Sequence, residues 1–502
     1  MKRHTFTFII ISALFFTLTG VLFKVSVLDH NTFTKAVINQ RSGGVDVKEY
    51  RGLITDKNDI PFVDGRSYIY QLKQGEDKQS YSEDDNEKKV VFNATNRYDD
   101  LSLSRHMIGY TDAESKGVSG LEKTFEKYLK SNQKYRINTI NDALDKSITE
   151  YGTRAKNADY VSDINVRTTL DYHIQKIVET AMEKSDKNSS VVVLDVNTFD
   201  VLAMASRPNF KQYDVTDYVK SEGTSLINRS VSEYNAGSIF KIITSAAALE
   251  SDIADTDHDF LCCGFSETDG VRFNCLNTEG HGVLSMKKAF ALSCNCCFLD
   301  LGIIMGGQSV CDMARRFGFG RKILDIDIGE CSGNIPEGVL SKADAANISI
   351  GQGSILITPL QAANMACIIA NGGISKKVNL VDAVVDEKGH IIEFLRKDEE
   401  SRVISKSTAD KIKEMMLEVT KNGTGTNAFA PEIGFICGKT GSAETGWIGD
   451  DGELNTHAWF CGFYPYENPE YAMAVFVEDG HQGNTAAAPI FKEIAEGIEN
   501  IY

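Results

Sequence analysis

The chain lacks the positive charge that a nucleic-acid-binding protein needs. Its 53 lysines and arginines are outnumbered by 70 aspartates and glutamates, so the formal net charge is −17 over 502 residues. No stripe of basic residues interrupts this acidic background. Because phosphate binding depends on clustered lysine and arginine side chains, the composition argues against nucleic acid as a partner.

The sequence also lacks an internal repeat and any recognisable zinc-binding spacing. Its eleven cysteines are an odd number, so at least one thiol must stay unpaired within the chain. Cys294, Cys296 and Cys297 crowd one segment, where we interpret them as small buried apolar side chains, with a metal or redox site as the alternative. His281 and His457 show no ligand spacing and are interpreted as structural. We therefore expect neither a metal nor a cofactor.

One long apolar run is present near the N-terminus, at Phe6–Phe23. Its length suits the hydrocarbon core of a bilayer, and basic residues precede it, which favours a cytoplasmic N-terminus. A cleaved signal peptide is the alternative, but no Ala-x-Ala-like site follows the run. We predict that residues 1–28 form a cytoplasmic tail and a transmembrane anchor, which gives a single-pass cell-membrane protein with its main domain extracytoplasmic.

The rest of the chain changes character at about residue 164. Residues 29–163 are more polar and variable, whereas residues 164–502 begin and end with strand patterns around a mostly helical middle. The predicted late strands are Phe435–Ser442, Ala458–Phe463 and Ala472–Glu478. This order predicts an α/β domain with one antiparallel sheet covered by helices.

Three serines are followed by a lysine three positions later: Ser131, Ser238 and Ser285. Ser131 lies in a polar stretch, and Ser285 is placed to cap the helix that follows it. Ser238 opens the apolar segment Ile239–Leu249, which predicts a buried helix. Ser238 is therefore the predicted nucleophile, although a capping serine followed by a surface lysine is the alternative for this pattern alone.

The spacing of this motif suits a lysine acting as a base. Residues three apart share one face of a helix, so Lys241 can reach the hydroxyl of Ser238. A free lysine, with a pKa near ~10.4, is a poor base at neutral pH. Burial and a second cation would lower that pKa and leave a neutral amine able to take the proton.

Two later motifs complete an active-serine constellation: Ser293-x-Asn295 and Lys439-Thr440-Gly441. The second motif lies in a strand pattern whose glycines indicate close approach of another backbone. This is typical of an edge strand that pairs with an extended peptide. Lys439 and Thr440 would then offer a cation and a hydroxyl to a carboxylate. An ordinary edge strand protected by a lysine is the alternative.

These three motifs, in this order, resemble the motif set of penicillin-binding proteins. The resemblance is to class B, the monofunctional peptidoglycan D,D-transpeptidases, and it extends through most of the chain. Further matching blocks are Arg51–Asp56, Gly117–Glu122, Thr168–Asp171, Leu202–Pro208, Gly351–Gly353, Thr358–Gln361, Gly423–Gly425 and His457–Phe460. The resemblance implies a penicillin-binding transpeptidase fold for residues 164–502, preceded by an elongated, mainly β pedestal domain at 29–163.

The same resemblance implies roles for the motif residues. Ser238 would attack the D-Ala-D-Ala bond of a peptidoglycan stem peptide, release the terminal D-Ala, and be acylated by β-lactams as well. Lys241 would be the general base. Ser293 and Asn295 would relay the proton and hold the substrate amide.

The Lys439 strand would bind the substrate. Lys439 and Thr440 would hold the carboxylate of the stem peptide or β-lactam, and Gly441 and Ser442 continue the binding strand. The backbone N–H groups of Ser238 and Ser442 would form the oxyanion hole. No metal is implied. Some relatives carry a cysteine pair that would correspond here to a disulfide from Cys262 or Cys263 to Cys275.

The implied partners are stem peptides or their lipid-linked precursor, β-lactams and the cell membrane. Because no glycosyltransferase region precedes the transpeptidase part, a separate membrane glycosyltransferase is also expected. Two alternatives remain. One is a hydrolase, either a D,D-carboxypeptidase or a β-lactamase type, in which water replaces the acceptor amine. The other is a non-catalytic β-lactam sensor or scaffold.

Overall fold

The computed structural model describes residues 2–30, 32–33, 42–46, 51–63, 97–130, 136–140, 154–156, 164–220, 223–338, 340–386, 388–448, 452 and 454–501. The chain divides into two compact units. The larger unit consists of Gly52–Asp64, Asn96–Lys130 and Asp163–Tyr502. It therefore takes in two segments that precede the predicted boundary at residue 163, and the pedestal assignment of 29–163 stays a prediction.

The helices are α1 Lys2–Phe23, α2 Arg105–Ile108, α3 Gly120–Thr124, α4 Glu126–Leu129, α5 Tyr172–Met182, α6 Thr216–Lys220, α7 Lys241–Glu250, α8 Met286–Ala291, α9 Asn295–Met305, α10 Gly307–Arg316, α11 Lys342–Ser349, α12 Pro359–Ala370, α13 Lys406–Asn422, α14 Gly483–Ala486 and α15 Ala488–Glu499. Short 3₁₀ turns lie at Arg229–Val231, Gly237–Phe240, Thr426–Ala428 and Pro431–Ile433.

The strands are β1 Ser42–Asp46, β2 Ile54–Thr55, β3 Arg136–Ile140, β4 Arg154–Lys156, β5 Ile164–Thr168, β6 Ser189–Asp195, β7 Val201–Arg207, β8 Tyr234–Asn235, β9 Asp259–Cys262, β10 Phe265–Thr268, β11 Val271–Asn274, β12 Gly282–Ser285, β13 Leu356–Ile357, β14 Ile374–Lys376, β15 Val381–Asp386, β16 Ile391–Phe394, β17 Glu400–Arg402, β18 Cys437–Ile448, β19 Leu454–Tyr464 and β20 Tyr471–Val477.

A five-stranded antiparallel sheet organises the larger unit, in the order β18-β19-β20-β6-β7. Strands from the end of the domain thus pair with strands from its start, as the sequence pattern predicts. Strand β18 carries the Lys-Thr-Gly motif and lies at one edge of the sheet, which confirms the predicted edge position.

Helices cover both faces of this sheet. Helices α5 and α15 pack on one face, in a core that includes Val178, Phe460 and Phe491. Helix α12 packs on the other face and is buried along its whole length. It begins at a capping box between Thr358 and Gln361 with Pro359 in its first turn, which satisfies the free N–H groups there. Because helices cover both faces, β6 and β7 are buried at every residue except Asp195, which is partly exposed.

A second sheet has the order β16-β15-β5-β2. Strand β2 pairs in parallel with β5, with Ile54 opposite Val166. This pairing incorporates Gly52–Asp64 into the larger unit, although more than a hundred residues separate the two strands.

In the smaller unit, β1, β3 and β4 form a three-stranded antiparallel sheet in the order β1-β3-β4. Helix α1 also belongs to this unit and continues into a π-helical turn at Lys24–Leu28. Together they form the apolar helix Arg3–Leu28, which has 26 residues and is long enough to cross a membrane.

Candidate active site

Ser238 lies in the 3₁₀ turn that leads directly into α7. Residue 237 has φ = +55°, and a Cβ there would lie 2.8 Å from the carbonyl oxygen of Ser442. Only glycine tolerates both conditions, so Gly237 lets this turn approach β18 closely. The predicted buried helix is confirmed, because Lys241–Leu249 are all buried.

The Lys241 ammonium lies at the centre of a buried polar cluster. Its Nζ donates to the Ser293 carbonyl at 2.8 Å, to Ser293 Oγ at 3.2 Å and to Asn295 Oδ1 at 2.8 Å. Ser293 has φ = +55°, a conformation that costs energy for a residue with a side chain. This strained turn, just before α9, presents both the carbonyl and the hydroxyl of Ser293 to one amine.

Lys439 approaches the same hydroxyl from the sheet. Its Nζ donates to Ser293 Oγ at 3.0 Å and to the Thr440 carbonyl at 3.0 Å. Ser293 Oγ therefore accepts from two lysines. The rings of Phe298 and Phe290 lie 5.5 Å from Lys241 Nζ and 5.6 Å from Lys439 Nζ, respectively. Aromatic faces thus supply part of the stabilisation that water would otherwise give these cations.

Burial lowers the pKa of both lysines, so each amine holds its proton less tightly than a lysine in water does. Both side chains are fully buried, and burial lowers the pKa of Lys241 from 10.5 to about 8. Burial, and then the nearby charge of Lys241, lowers the pKa of Lys439 well below its ordinary value. When either lysine loses its proton, the desolvation cost of that ammonium and its repulsion with the other lysine both disappear. A neutral amine is therefore accessible near neutral pH.

A groove of about 1010 Å³ opens beside this cluster. Ser238, Ser293, Asn295, Thr440 and Ser442 line it, so five of the predicted site residues meet on one surface.

The other three predicted site residues lie behind the groove lining. Lys241 and Lys439 are fully buried beneath it. A Cβ on Gly441 would lie 3.0 Å from Ile239 Cγ2, so this glycine allows β18 to pack against the nucleophile turn. The structure thus brings all three motifs together, with the two lysines under the hydroxyl groups that face the groove.

Thr424 is a groove residue that motif reasoning does not assign. Its Oγ1 lies 2.5 Å from Oγ1 of Thr440, and both side chains line the groove. Its N–H donates to the Ala291 carbonyl at 3.0 Å. In the sequence, Thr424 could have been found from the Gly423–Gly425 block, which is one of the blocks that carry the family resemblance.

Of the two competing Ser-x-x-Lys motifs, the one at Ser285 and Lys288 does not line this groove. Ser285 caps α8 and accepts a hydrogen bond from the Lys288 N–H, as predicted. Ser131 lies outside the described residues.

Four residues that the sequence did not connect meet next to the Ser293 motif. The ligand atoms of Cys262, Cys275, His281 and Cys294 all lie within 4.8 Å of one another. Cys262, Cys263 and Cys275 are all free thiols, so the implied disulfide from Cys262 or Cys263 to Cys275 is not formed in this structure. His281, which the sequence analysis interprets as structural, lies in this cluster, and the linear spacing of the four residues does not show their convergence.

Comparisons with known proteins agree with this architecture. The family model for the penicillin binding protein transpeptidase domain matches residues 189–496. Stage V sporulation protein D of Bacillus subtilis (strain 168) is 30% identical over 412 residues, which cover 78% of this chain and 62% of that protein. Peptidoglycan D,D-transpeptidase PbpA of Mycolicibacterium smegmatis is 30% identical over 351 residues, covering 65% of this chain and 70% of PbpA. The chain thus spans less than two thirds of the first of these relatives.

Solved structures show the same fold. Penicillin binding protein 3 of Mycobacterium tuberculosis, complexed with aztreonam, has a TM-score of 0.71 and 26% identity, covering 91% of this chain and 97% of that one. Penicillin-binding protein A of M. tuberculosis, as its penicillin G acyl-enzyme complex, has a TM-score of 0.69 and 25% identity, covering 90% and 100%. With this fold, this family match and the three motifs gathered on one groove, the chain belongs to the class B penicillin-binding proteins.

Proposed function

We propose that the protein is an acyl-serine D,D-transpeptidase that cross-links peptidoglycan stem peptides and is acylated by β-lactams. The observation that carries this proposal is the buried Lys241 amine, which bonds to Ser293 and Asn295 beneath a groove lined by Ser238. The names of several relatives, peptidoglycan D,D-transpeptidase, support it.

In the first step, Ser238 is the nucleophile. The three acceptors of the Lys241 ammonium are all in place on Ser293 and Asn295. Once Lys241 is neutral, it keeps two N–H donors and gains a lone pair, which accepts the Ser238 proton as the oxygen attacks. The Ser238 oxygen bonds to the carbonyl carbon of the penultimate D-Ala.

The oxyanion that forms is stabilised by the nucleophile turn and the sheet edge. Gly237 approaches the Ser442 carbonyl closely, which sets the Ser238 backbone next to the β18 backbone. The N–H groups of Ser238 and Ser442 are the donors we assign to the oxyanion, and one such donor is typically worth about 10²–10³ in rate.

The peptide bond to the terminal D-Ala then breaks. Ser293 Oγ contacts both Lys241 and Lys439, so it can pass the proton from the Lys241 side to the departing amine. The result is an ester between Ser238 and the donor peptide. The amine of a second stem peptide attacks the carbonyl carbon of this ester and forms the amide of the cross-link. The ester bond to Ser238 breaks, and the proton that the amine loses passes to the Ser238 oxygen, which restores its hydroxyl.

Substrate binding uses the part of edge strand β18 that borders the groove. An extended peptide can pair with this edge by backbone hydrogen bonds. The hydroxyls of Thr440 and Thr424 face the groove and can hold the substrate carboxylate. Lys439 lies beneath them, with its Nζ bonded to Ser293 Oγ and to the Thr440 carbonyl, and adds a positive charge to this end of the groove when it is protonated.

The apolar helix Arg3–Leu28 would anchor the enzyme in the cell membrane with the transpeptidase domain outside. The basic residues before the apolar run Phe6–Phe23 favour this orientation. A membrane glycosyltransferase would supply the glycan strands. Peptidoglycan stem peptides attached to those strands, or their lipid-linked precursor, would be the substrates.

Covalent labelling tests the nucleophile. Membranes carrying the full chain are incubated with fluorescent penicillin, and wild type is compared with Ser238→Ala and Ser285→Ala. We expect Ser238→Ala to abolish labelling. Ser285→Ala, which removes the serine of a matched Ser-x-x-Lys motif, should leave it intact. Labelling that survives Ser238→Ala refutes the nucleophile assignment.

Product analysis tests the reaction type. The purified protein is given a stem-pentapeptide donor and a D-amino acid as acceptor amine. A transpeptidase forms the exchanged peptide, whereas a carboxypeptidase forms only the shortened one. A sensor forms neither product and retains the penicillin label.

A further inference from the structure

Beside the active groove, three thiols and one imidazole converge from four separate segments. Cys262 Sγ lies 3.5 Å from His281 Nδ1, and Cys275 Sγ lies 3.6 Å from the same nitrogen. Cys275 Sγ and Cys294 Sγ are 3.9 Å apart. The three cysteines are at most 3% exposed, and His281 is half-buried. We call these four residues the Cys₃His cluster.

These separations fit a tetrahedral zinc ion. With Zn–S bonds of about 2.3 Å and Zn–N bonds of about 2.0–2.1 Å, tetrahedral ligands lie about 3.8 Å apart for two sulfurs and about 3.6 Å for a sulfur and a nitrogen. The observed sulfur–sulfur distance of 3.9 Å and sulfur–nitrogen distances of 3.5 and 3.6 Å match both values. One disulfide would use only two of the three thiols and leave the third, with the imidazole, unmatched.

The backbone around the cluster is shaped to bring the ligands together. Strand β9 ends at Cys262, which pairs with Gly282, the residue after His281. Gly264 has φ = +90° and a Cβ there would lie 2.1 Å from the Thr278 carbonyl oxygen. Gly280 has φ = +85°, and a Cβ there would lie 2.5 Å from the Cys262 carbonyl oxygen. Both turns therefore need glycine to fold the ligand-bearing segments against each other.

We propose that Cys262, Cys275, His281 and Cys294 bind one structural Zn²⁺ ion per chain. Four protein ligands leave no open position for water, which is typical of a structural site and not of a catalytic one. A soft, sulfur-rich tetrahedral set selects zinc over the oxygen-preferring divalent cations.

The cluster is joined to the groove through its neighbours in the sequence. Cys294 lies between Ser293 and Asn295, and Asn295 Nδ2 donates to the carbonyl of Asn274 at 2.9 Å. Asn274 immediately precedes Cys275 and lines the groove. The ion thus ties one wall of the groove to the Ser293 motif and holds the acceptors of Lys241 in place. This positioning role rests on the proposed function, whereas metal binding does not.

Metal content is the first test. Full-length protein is purified in detergent from zinc-replete cells, without chelator, and its zinc is measured by elemental mass spectrometry. We expect about one zinc per chain. After replacement with Co²⁺, the protein should show sulfur-to-cobalt charge transfer and the intense visible bands of a tetrahedral site. A metal-free protein, or a disulfide among these cysteines under non-reducing peptide mapping, overturns the proposal.

Variants test the ligand set. Cys275→Ser and His281→Asn should lose zinc and the cobalt thiolate spectrum. Cys263→Ser is the matched control, because Cys263 is exposed and adjoins a ligand without belonging to the cluster. It should keep both signals. Zinc retained at the wild-type level in His281→Asn and Cys275→Ser contradicts the assignment, and the cobalt spectrum of the wild-type protein remains decisive if a variant fails to fold.

The positioning role has a separate readout. Chelation should lower the thermal unfolding temperature and slow penicillin acylation of Ser238, and added Zn²⁺ should restore both. Zinc bound at one per chain without any effect of its removal on acylation would overturn the positioning role alone. Zinc-loaded protein that is never acylated would instead count against the proposed function.

Discussion

Penicillin acylation should depend on pH through Lys241. The amine must be neutral to accept the Ser238 proton, and burial lowers the pKa of Lys241 from 10.5 to about 8. The acylation rate of the protein in detergent is therefore measured from pH 6 to pH 10. The expected profile is a rise in acylation rate with a midpoint near the pKa of Lys241, followed by a plateau.

The size of the effect follows from the populations. With a pKa of about 8, the neutral fraction is about 9% at pH 7 and about 91% at pH 9, so acylation should speed up about tenfold. An unburied lysine would be neutral in only about 0.03% of molecules at pH 7, so burial raises the reactive population about 300-fold. Lys439 shares the same cluster, so the observed midpoint belongs to the interacting pair.

The assay is the second-order rate constant for fluorescent penicillin, measured by quenched labelling at each pH. Lys241→Arg is the matched control, because a guanidinium keeps the charge but does not lose its proton in this range. Its residual rate should be low and without a midpoint near 8. A wild-type rate that keeps rising with unit slope beyond pH 10, or that is flat from pH 6, refutes the reasoning.

Three further outcomes are expected. Because the folded pKa of Lys241 lies below its ordinary value, the contribution of Lys241 to stability falls as the pH drops from 10.5 to 8. The difference in unfolding free energy between wild type and Lys241→Met, measured by thermal unfolding, should change by about 3 kcal/mol over that range. A difference that does not depend on pH would contradict the burial argument. Arg229→Ala should cost about 3 kcal/mol. It removes the almost fully buried guanidinium 2.9 Å from the Glu478 carboxylate and leaves that carboxylate, which also accepts from Asn188, without this counter-charge; an unchanged unfolding temperature would contradict this. Thr440→Val and Thr424→Val should each slow acylation about tenfold by removing a hydroxyl from the groove, and unchanged rate constants would remove both from substrate binding.

The sequence predicts those parts of the molecule that depend on local pattern. The apolar run after Ser238 predicts a buried helix, and burial of Lys241 follows from its place in the first turn. Alternating and glycine-rich segments predict the edge strand at Lys439 and the next two strands of the sheet, β19 and β20. In these cases one short segment contains the whole signal.

The remaining features depend on contacts between distant segments. Pairing of β2 with β5 places Ile54 opposite Val166, and no periodicity in either segment specifies the other as its partner. The depth of Lys439 is another example. From the motif alone, the Lys439 ammonium is expected to contact the substrate carboxylate directly. In the structure the Lys439 side chain is buried behind Thr440, and its Nζ donates to Ser293 Oγ.

The Cys₃His cluster shows the same limit. Cys262, Cys275, His281 and Cys294 are separated by 13, 6 and 13 residues, which resembles no paired zinc spacing. They meet because two glycine turns and the start of α9 fold onto one point. Composition revealed an unusual number of cysteines, but only the tertiary structure shows which thiols share a centre.

Direct titration of the Lys241 side chain tests the central claim. Lysine labelled with ¹³C at Cε is incorporated into the protein, and the Lys241 resonance is assigned by its loss in Lys241→Gln. We expect a midpoint of about 8 for this resonance. A midpoint above 10, as for an amine in water, would contradict it.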